Sequence, residues 1–299
     1  MLRGAIYGLT AAAIWGGLYV VSDIVLQTIP PFTLLTIRLL MGIVVLAVLL
    51  WRSGTPLPER SETIRLLMVG FLGFGVSVGA QFVGTDKSTA VNGALVTSAS
   101  PAFILVFAWL LLHERLTPQR ILAVMLATLG VVVIIDPSKA DFSSDTFIGD
   151  IVLALAAVTW GLYSVLVRKL SVRHDTLVIT LLAFLGGMFL TIPAMVLELP
   201  NRPIGEIDGG TILGVLYLGI ISTAVAMWLW NRAFALVDAS VASLFFFAQP
   251  VVGALLSVIV QGQVITPNLW AGGLMIAAGL LLAIYPARRM RWQKPAMRS

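Results

Sequence analysis

The sequence predicts an all-α integral membrane protein. It should have ten transmembrane helices in two inverted five-helix repeats around a central cavity, with both termini in the cytoplasm. The first observation is composition: 59% of the 299 residues are hydrophobic and only 11% are charged. Soluble domains carry about 25% charged residues, so most of this surface must face lipid. The other observations are a sequence repeat and a one-sided distribution of basic residues.

A transmembrane helix needs about 20 mostly apolar residues. The first such stretch begins after Arg3 and continues past Trp15 to Val21. It is too long for the apolar region of a signal peptide and is interpreted as the first span. The ten predicted spans are residues 4–25, 32–51, 64–84, 91–111, 119–136, 149–168, 176–198, 211–231, 240–260 and 268–286.

The two halves of the chain repeat each other. Pro101, Pro118, Gly130 and Pro137 recur as Pro250, Pro267, Gly279 and Pro286 at a constant spacing of 149 residues. Trp15-Gly16 recurs as Trp160-Gly161 after 145 residues, and Phe71 corresponds to Tyr217 after 146. The predicted organisation is a first repeat at 1–137, an outer connecting loop at 138–148, a second repeat at 149–286 and a basic cytoplasmic tail at 287–299. Because five spans is an odd number, the two copies must cross the membrane in opposite directions.

Basic residues set the orientation. With the N-terminus inside, fifteen of the 19 Lys and Arg residues fall on the cytoplasmic side, as the positive-inside rule requires. The predicted outer loops carry acidic residues such as Asp141 and Glu206. The basic tail is expected to rest on anionic inner-leaflet lipid, and nucleic-acid binding is not expected.

The sequence lacks the residues that several kinds of chemistry require. There is no Cys, so neither a disulfide nor a thiolate metal site is available, and we expect no metal or cofactor. No G-x-x-x-x-G-K-[ST] motif occurs and no soluble region could hold a nucleotide-binding fold, so ATP-driven export by this chain is not expected. His113 and His174 are interpreted as boundary residues. An intramembrane enzyme would need a nucleophile–base pair or paired carboxylates at one depth, so it is a remote alternative and the chain is not expected to be an enzyme.

Inverted repeats are a recurrent architecture of secondary transporters, which bind substrate near the bilayer midplane and expose it alternately to each side. The repeat therefore predicts a secondary transporter. A passive pore or facilitator is the alternative; its flux would not saturate at concentrations that saturate a carrier.

The sequence resembles the EamA repeat of the drug/metabolite transporter superfamily over about residues 4–286. The resemblance rests on two ordered copies, with Trp15-Gly16 and Arg38-Leu39 near the start. It further rests on Ala94-Leu95, Ser100-Pro101, Trp109-Leu110-Leu111, Glu114-Arg115-Leu116-Thr117-Pro118 and Leu129-Gly130. It implies ten helices, a central substrate cavity, a bacterial inner membrane and, often, export of amino acids or other metabolites. One departure is Gln263, which stands where the first copy has Glu114; we expect Glu114 to cap a helix and to pair with Arg115.

Polar side chains inside spans are costly in lipid and tend to face the interior of a bundle. They concentrate in spans 1, 3, 4, 6, 8 and 9, so spans 2, 5, 7 and 10 are predicted to be peripheral. Of Phe245, Phe246 and Phe247, at least one should face the cavity and at least one lipid. The predicted cavity residues are Trp15, Tyr19, Gln81, Ser98, Trp160, Tyr163, Trp228, Phe246 and Gln249.

Two further pairs carry predictions. Pro101 and Pro250 interrupt helices, either as functional breaks that free a carbonyl or as fixed packing kinks. Asp23 and Arg38 lie symmetrically about Pro30-Pro31 and are predicted to form a structural ion pair; proton coupling at Asp23 is the lesser alternative.

Aromatic walls with a few hydroxyls and amides suit amphiphilic solutes such as aromatic amino acids or methionine. The expected partners are a small-molecule substrate and membrane lipid, with the protein a monomer or a homodimer.

Overall fold

The computed structural model describes residues 2–88, 96, 98–135, 138, 143, 146–261 and 267–284. Most of the predicted connecting loop, the basic tail, Gln263 and the side chains of Tyr19 and Asp23 lie outside this description. Within it every regular element is helical, which confirms the all-α prediction.

The helices follow the predicted apolar stretches closely. The uninterrupted helices are α1 (Leu2–Val25), α2 (Pro31–Ser53), α4 (Ser100–Leu112), α5 (Pro118–Ile135), α6 (Phe147–Leu170), α7 (Thr176–Glu198) and α10 (Pro267–Ile284). Three others change geometry along their length. Helix α3 comprises Arg60–Gly70, a π-helical segment Phe71–Ser77, and Val78–Asp86; α8 comprises Gly209–Leu216, a π-helical segment Tyr217–Val225, and Ala226–Leu236; α9 comprises Ala239–Ala242, a 3₁₀ segment Ser243–Phe247, and Ala248–Gln261.

The helix ends have local causes. Pro31 occupies the first turn of α2, where its missing N–H costs nothing, and Gly54 ends the helix in the left-handed region at φ 66°. The Asp175 carboxylate caps α7 by accepting from the Leu177 N–H at 2.7 Å. Asp208 caps α8 by accepting from the Thr211 N–H at 2.7 Å. Side-chain oxygens at these positions satisfy amides that have no partner within the helix.

Five helical regions in the described part of the chain are long and apolar enough to cross a membrane: 31–53, 60–85, 147–170, 176–198 and 209–236. Their outer faces are apolar as well. On α2, Leu40, Val44 and Val48 follow one another at a spacing of four and are 52%, 57% and 45% exposed. An apolar stripe of this kind is unfavourable in water and favourable in lipid. The protein is therefore a multi-pass membrane protein.

Repeat-related helices make repeat-related contacts. Gly130 on α5 lies against the Gly272 backbone of α10, and Gly279 on α10 lies against the Ala123 backbone of α5. Each contact maps onto the other at the spacing of 149 residues. Because 130 faces 272 while 123 faces 279, α5 and α10 run antiparallel. Small residues at these positions allow the two backbones to approach closely.

A second pair of contacts repeats in the same way. Gly16 of α1 packs against Val252 and Gly253 of α9, and Gly161 of α6 packs against Phe103 and Ile104 of α4. The two π-helical segments likewise begin at the repeat-related positions Phe71 and Tyr217. π-Helical segments are rare and are found frequently at functional sites.

One prediction about the periphery needs correction: helix α2 contributes to the cavity described below. Helix α7 packs against α2 and α3, with Phe184 fully buried beneath Gly42, but it contributes no described residue to the cavity, and its peripheral place stays a prediction. Apolar residues alone do not distinguish a helix face that meets lipid from one that meets another helix.

Neither Phe245 nor Phe247 faces lipid, contrary to the prediction: each is 1% exposed. The 3₁₀ segment that carries them contacts α1, α4, α5 and α10. Phe245 packs over Gly8, whereas Phe247 joins a core with Leu105 and Ile276. A 3₁₀ helix turns by a third of a circle per residue, so three consecutive side chains point to three different neighbours.

Two glutamates cap helices from a distance. Glu114 accepts from the Ala239 N–H at 2.7 Å and from the Ser240 hydroxyl at 2.6 Å, at the start of α9. Its ion-pair partner is Arg120, at 3.6 Å, in place of the predicted Arg115. At the start of α2, Glu198 accepts from the Thr33 N–H at 2.9 Å. A carboxylate at a helix N-terminus is favoured by both hydrogen bonding and the helix dipole.

Candidate functional site

A cavity of about 250 Å³ lies inside the helix bundle, with walls from α1, α2, α3, α4, α6, α8 and α9. Most of its surface is apolar, and the larger apolar side chains are Trp15, Phe74, Trp160, Met227 and Phe246. Concave, mostly apolar sites with a few placed polar groups are characteristic of small-molecule binding.

The cavity occupies one end of the bundle. Its lining residues come from the C-terminal parts of α1 and α3, down to Leu26 and Thr85, and from the N-terminal parts of α2 and α4. These helix ends all lie on the same side, because consecutive helices alternate in direction. Towards the other end, Trp230 and Phe245 fill the bundle and are each 1% exposed.

Trp15 is held by both packing and hydrogen bonding. Its Nε1 donates to the carbonyl oxygen of Ser222, in the π-helical segment of α8, at 2.9 Å. Its ring centroid lies 5.2 Å from that of Trp230 and 6.4 Å from those of Trp160 and Phe246. Such edge and tilted contacts are the favoured arrangements of aromatic rings. Trp15 therefore forms a fixed part of the wall.

Trp160, the repeat-related tryptophan, lines the same cavity. Its ring lies 5.1 Å from that of Tyr163 and 6.3 Å from that of Phe74. Unlike Trp15, it has a buried Nε1 without a hydrogen-bond partner in the part of the chain that the structure describes.

Other buried polar atoms in the wall also have no partner among the described residues. They are Ser22 Oγ, Ser222 Oγ and Gln249 Oε1, on side chains that are 8%, 1% and 6% exposed. A buried donor or acceptor left unsatisfied costs about 1–3 kcal/mol. These atoms belong to residues of the cavity wall, but each exposes less than 1 Å², so its side chain must rotate before a ligand or water can reach it. Gln81, Ser77 and Ser100 add further polar groups to the lining.

Arg38 is the one charged side chain among the described lining residues. Its Nε donates to Thr223 Oγ1 at 3.0 Å, and the Thr223 hydroxyl in turn donates to the Leu218 carbonyl at 2.7 Å. The predicted partner, Asp23, has its side chain outside the described part, so the Asp23–Arg38 pair stays a prediction.

Three predicted cavity residues lie elsewhere. Tyr163 is fully buried behind Phe74 and Trp160, with its hydroxyl 3.4 Å from Asn231 Oδ1. Trp228 lies beside Tyr7, with ring centroids 6.2 Å apart. Ser98 is buried in the turn before α4. The predicted residues that do line the cavity are Trp15, Gln81, Trp160, Phe246 and Gln249.

Pro101 and Pro250 lie in first turns of α-helices. Pro101 is the second residue of α4, and Pro250 is the third residue of Ala248–Gln261, directly after the 3₁₀ segment of α9. A first turn tolerates proline because its amides have no partner within the helix. Each proline follows a lining residue, Ser100 or Gln249, and these two residues are also repeat-related.

Sequence reasoning missed Phe74, Met227 and the role of Arg38 in the wall. Arg38 had a signal: Leu35, Arg38 and Leu39 lie at a spacing of three and four on one face of α2. A lone arginine within an apolar span points to the interior of a bundle. Phe74 and Met227 had none, because an apolar residue suits lipid, core and cavity wall alike.

The chain matches the model of the EamA-like transporter family twice, over residues 2–136 and 147–285. An uncharacterized transporter of Archaeoglobus fulgidus is 26% identical over 273 residues, 90% of this chain and 93% of that protein. The uncharacterized inner membrane transporter YicL of Salmonella typhimurium is 25% identical over 299 residues, 96% of this chain and 97% of its own. A crystal structure with 23% identity superposes with a TM-score of 0.85, covering 95% of this chain and 99% of that one, which shows a shared fold. Family and relatives are transporters, not enzymes, and this chain belongs to the EamA-like transporter family.

Proposed function

We propose that this protein is a secondary active transporter that exports small amphiphilic metabolites across a bacterial inner membrane by alternating access. Amino acids with aromatic or thioether side chains are the leading substrates. The observation that carries the proposal is the composition of the cavity wall. Trp15, Trp160 and Phe246 supply flat apolar surface, while Gln81, Gln249 and Arg38 bring polar side chains to the same lining. An aromatic or thioether side chain fits the first set, and the polar end of the same solute fits the second.

We further propose ten transmembrane helices in two inverted repeats with both termini in the cytoplasm. Two repeat-related helices, α5 and α10, run antiparallel, as an inverted pair must. Fifteen of the 19 basic residues lie on the side assigned to the cytoplasm. The relative described as an inner membrane transporter is consistent with this placement. That the protein is a monomer or a homodimer stays a prediction.

With this orientation the described lining extends towards the outer side of the membrane. Leu26 and Thr85 lie there, where α1 and α3 finish. The cytoplasmic end is closed by Trp230, Phe245 and the hydrogen bond from Asn231 Nδ2 to Thr180 Oγ1 at 2.9 Å. Export requires these cytoplasmic contacts to separate and the outer end to close around the substrate.

The test is transport by purified protein in liposomes, using radiolabelled amino acids. Saturable uptake of phenylalanine, tryptophan or methionine is expected, and it should be lost in Trp15→Ala and Trp160→Ala. Trp109→Ala is the matched control, because Trp109 is 52% exposed on the lipid-facing surface and should keep uptake. If well-folded protein moves no amino acid, the substrate class is wrong, and panels of drugs and other metabolites come next.

Facilitated diffusion is the second candidate. No carboxylate occurs among the described lining residues, so the described part of the wall offers no acidic proton carrier. Imposing a pH gradient on the liposomes separates the two mechanisms. Accumulation above the external concentration that collapses with the gradient supports proton-coupled transport. Equilibration that ignores the gradient supports facilitated diffusion.

A further inference from the structure

We propose that Arg38 is the anchor for a carboxylate, so that the substrates are amphiphilic monocarboxylates whose amino group is dispensable. This inference rests on the transport function proposed above and narrows its substrate class. It begins from the charge balance of the cavity wall. Arg38 is the one charged side chain among the described lining residues, and the other polar groups there are hydroxyls and amides.

The guanidinium is oriented by its neighbours. Its Nε–H is engaged by Thr223 Oγ1 at 3.0 Å, and the Thr223 hydroxyl is itself fixed by donating to the Leu218 carbonyl at 2.7 Å. The two Nη atoms have no acceptor among the described residues, so their N–H groups are left for a ligand, whose carboxylate would take the place of the predicted partner Asp23. Paired Nη donors match the two oxygens of a carboxylate, which they can bind with two parallel hydrogen bonds. Thr223 therefore acts as a positioning residue for the anchor.

The depth of Arg38 suits a short amphiphile. Arg38 is the eighth residue of α2, about 10 Å from the start of that helix at 1.5 Å per residue. Trp15 lies ten residues before the end of α1, or about 15 Å from the same side. By this count the Arg38 backbone lies about 5 Å nearer the shared end of α1 and α2 than the Trp15 backbone. The two side chains bind adjacent residues of α8, Thr223 and Ser222, so the guanidinium lies beside the tryptophan wall. A carboxylate on Arg38 would place an aryl or thioether group between Trp15, Trp160 and Phe246.

The described part of the cavity wall offers an ammonium group only neutral hydrogen-bond acceptors. Ser22 Oγ and Gln249 Oε1 are buried and have no partner among the described residues. After a side-chain rotation that exposes them, they can accept hydrogen bonds from an amine, an amide N–H or water equally well. A positively charged group gains no opposite charge from them. The carboxylate is therefore the required feature, and the amine is optional.

The repeat supports a specific role for this residue. Positions 145 and 146 residues after Arg38 hold Ala183 and Phe184, so the charge is not duplicated. The glycines that bring helices together and the tryptophans of the wall are duplicated. A group required for packing both halves should recur in both. A single charge in a shared central cavity instead serves the one ligand that occupies it.

The test compares analogues and variants in two assays. The analogues are phenylalanine, N-acetylphenylalanine, phenylpropionate, phenylalaninamide and phenethylamine. Binding is followed by thermal shift of the detergent-purified protein, and transport by uptake or counterflow in liposomes. The three carboxylates should bind and be transported, while the amide and the amine should do neither. Arg38→Lys and Arg38→Gln should weaken carboxylate binding by about 10-fold to 100-fold, the range for losing charge-assisted hydrogen bonds. Arg65→Gln removes an exposed cytoplasmic arginine and should change nothing.

The outcomes separate this inference from the transport function. Equal transport of the amide and the acid would overturn the anchor while leaving the transporter intact. If phenylalanine is transported but N-acetylphenylalanine and phenylpropionate are not, the claim that the amine is dispensable is wrong. Arg38-dependent, carboxylate-selective binding without transport would uphold the anchor and defeat the transport proposal. Absence of binding by all three carboxylates would overturn the inference. Because the analogue series uses the unmodified protein, it remains decisive if Arg38 variants misfold.

Discussion

Trp15 Nε1 lies 2.9 Å from the carbonyl oxygen of Ser222, to which it donates a hydrogen bond. The bond joins the first helix of one repeat to the π-helical segment of α8 in the other. It also fixes the indole that forms one wall of the cavity. Repeat-to-repeat contacts at a binding site are where a substrate can influence the relative position of the two halves.

Replacing Trp15 with phenylalanine should weaken transport without abolishing it. A smaller aromatic ring remains, but the hydrogen bond that holds the indole against the Ser222 carbonyl is lost, and it is worth about 1 kcal/mol. If substrate binding must then order the loosened ring, affinity falls by up to roughly five-fold. We expect KM for the transported amino acid to rise about five-fold with kcat less affected. Initial rates in liposomes give both constants. Trp109→Phe, on the lipid-facing surface, should leave KM and kcat unchanged. If KM is also unchanged in Trp15→Phe, the hydrogen bond to Ser222 does not contribute to substrate binding.

The hydrogen bonds of Asn231 should stabilise the protein more through Thr180 than through Tyr163. Asn231 Nδ2 donates to Thr180 Oγ1 at 2.9 Å, and Thr180 Oγ1 donates to the Thr176 carbonyl at 2.6 Å. The Tyr163 hydroxyl lies 3.3–3.4 Å from Asn231, longer than a good hydrogen bond. Thr180→Val should therefore lower the free energy of unfolding by about 1–3 kcal/mol, and Tyr163→Phe by less.

Thermal unfolding in detergent measures both effects. Combining each change with Asn231→Leu gives double-mutant cycles, and the coupling energy should be larger for the Thr180 pair. A larger coupling for the Tyr163 pair would mean that its hydroxyl carries the closure.

The membrane-spanning helices are predictable from the sequence because each must contain a long apolar run. Helix α7 was predicted at 176–198 and is observed at Thr176–Glu198, because a long apolar run after the capping Asp175 leaves little choice of boundary. Which helices are neighbours is less predictable. Packed and lipid-facing surfaces are both apolar, so α2, which lines the cavity, was misplaced at the periphery.

The site was predictable where the residue type alone points inward. Polar residues such as Gln81 and Gln249, and the repeated Trp15 and Trp160, could be selected from the sequence and line the cavity. The contact between Arg38 and Thr223 joins residues 185 positions apart and has no local signal. The two π-helical segments, which set the directions of Ser77 and Thr223, have no sequence signature either.

Asp208 should make stability depend on pH in the acid range. Hydrogen bonds from the Thr211 hydroxyl and amide lower the pKa of its carboxyl below the ordinary 3.8. A lowered folded-state pKa means that the extra stability is present above pH 3.8. It disappears as the pH falls through the folded-state value. Wild type should unfold at a higher temperature than Asp208→Ala near neutral pH, and the two curves should converge in acid.

Asp208→Asn keeps a side-chain acceptor at the helix N-cap but removes the charge. Its unfolding temperature should lie between the other two near neutral pH and lack the acid-range dependence due to this carboxyl. Melting curves recorded across the acid range would contradict the assignment if wild type and Asp208→Ala stayed a constant distance apart.

Two adjacent glycines of α10 should respond to alanine with opposite signs. A Cβ at Gly272 would collide with the Gly130 carbonyl and lie 2.5 Å from Ile134 Cγ1, whereas a Cβ at Gly273 would meet nothing within 4 Å. In a helix, alanine is favoured over glycine by about 0.5–1 kcal/mol when space allows. Gly273→Ala should therefore be neutral or stabilising. Gly272→Ala must push α10 away from α5 and should destabilise, since backbone atoms cannot move aside as a flexible side chain can. Unfolding in detergent mixtures ranks the two variants against wild type. Because they differ by one position on the same helix, lipid exposure and helix propensity are closely matched, and a shared sign would contradict the close α5–α10 approach.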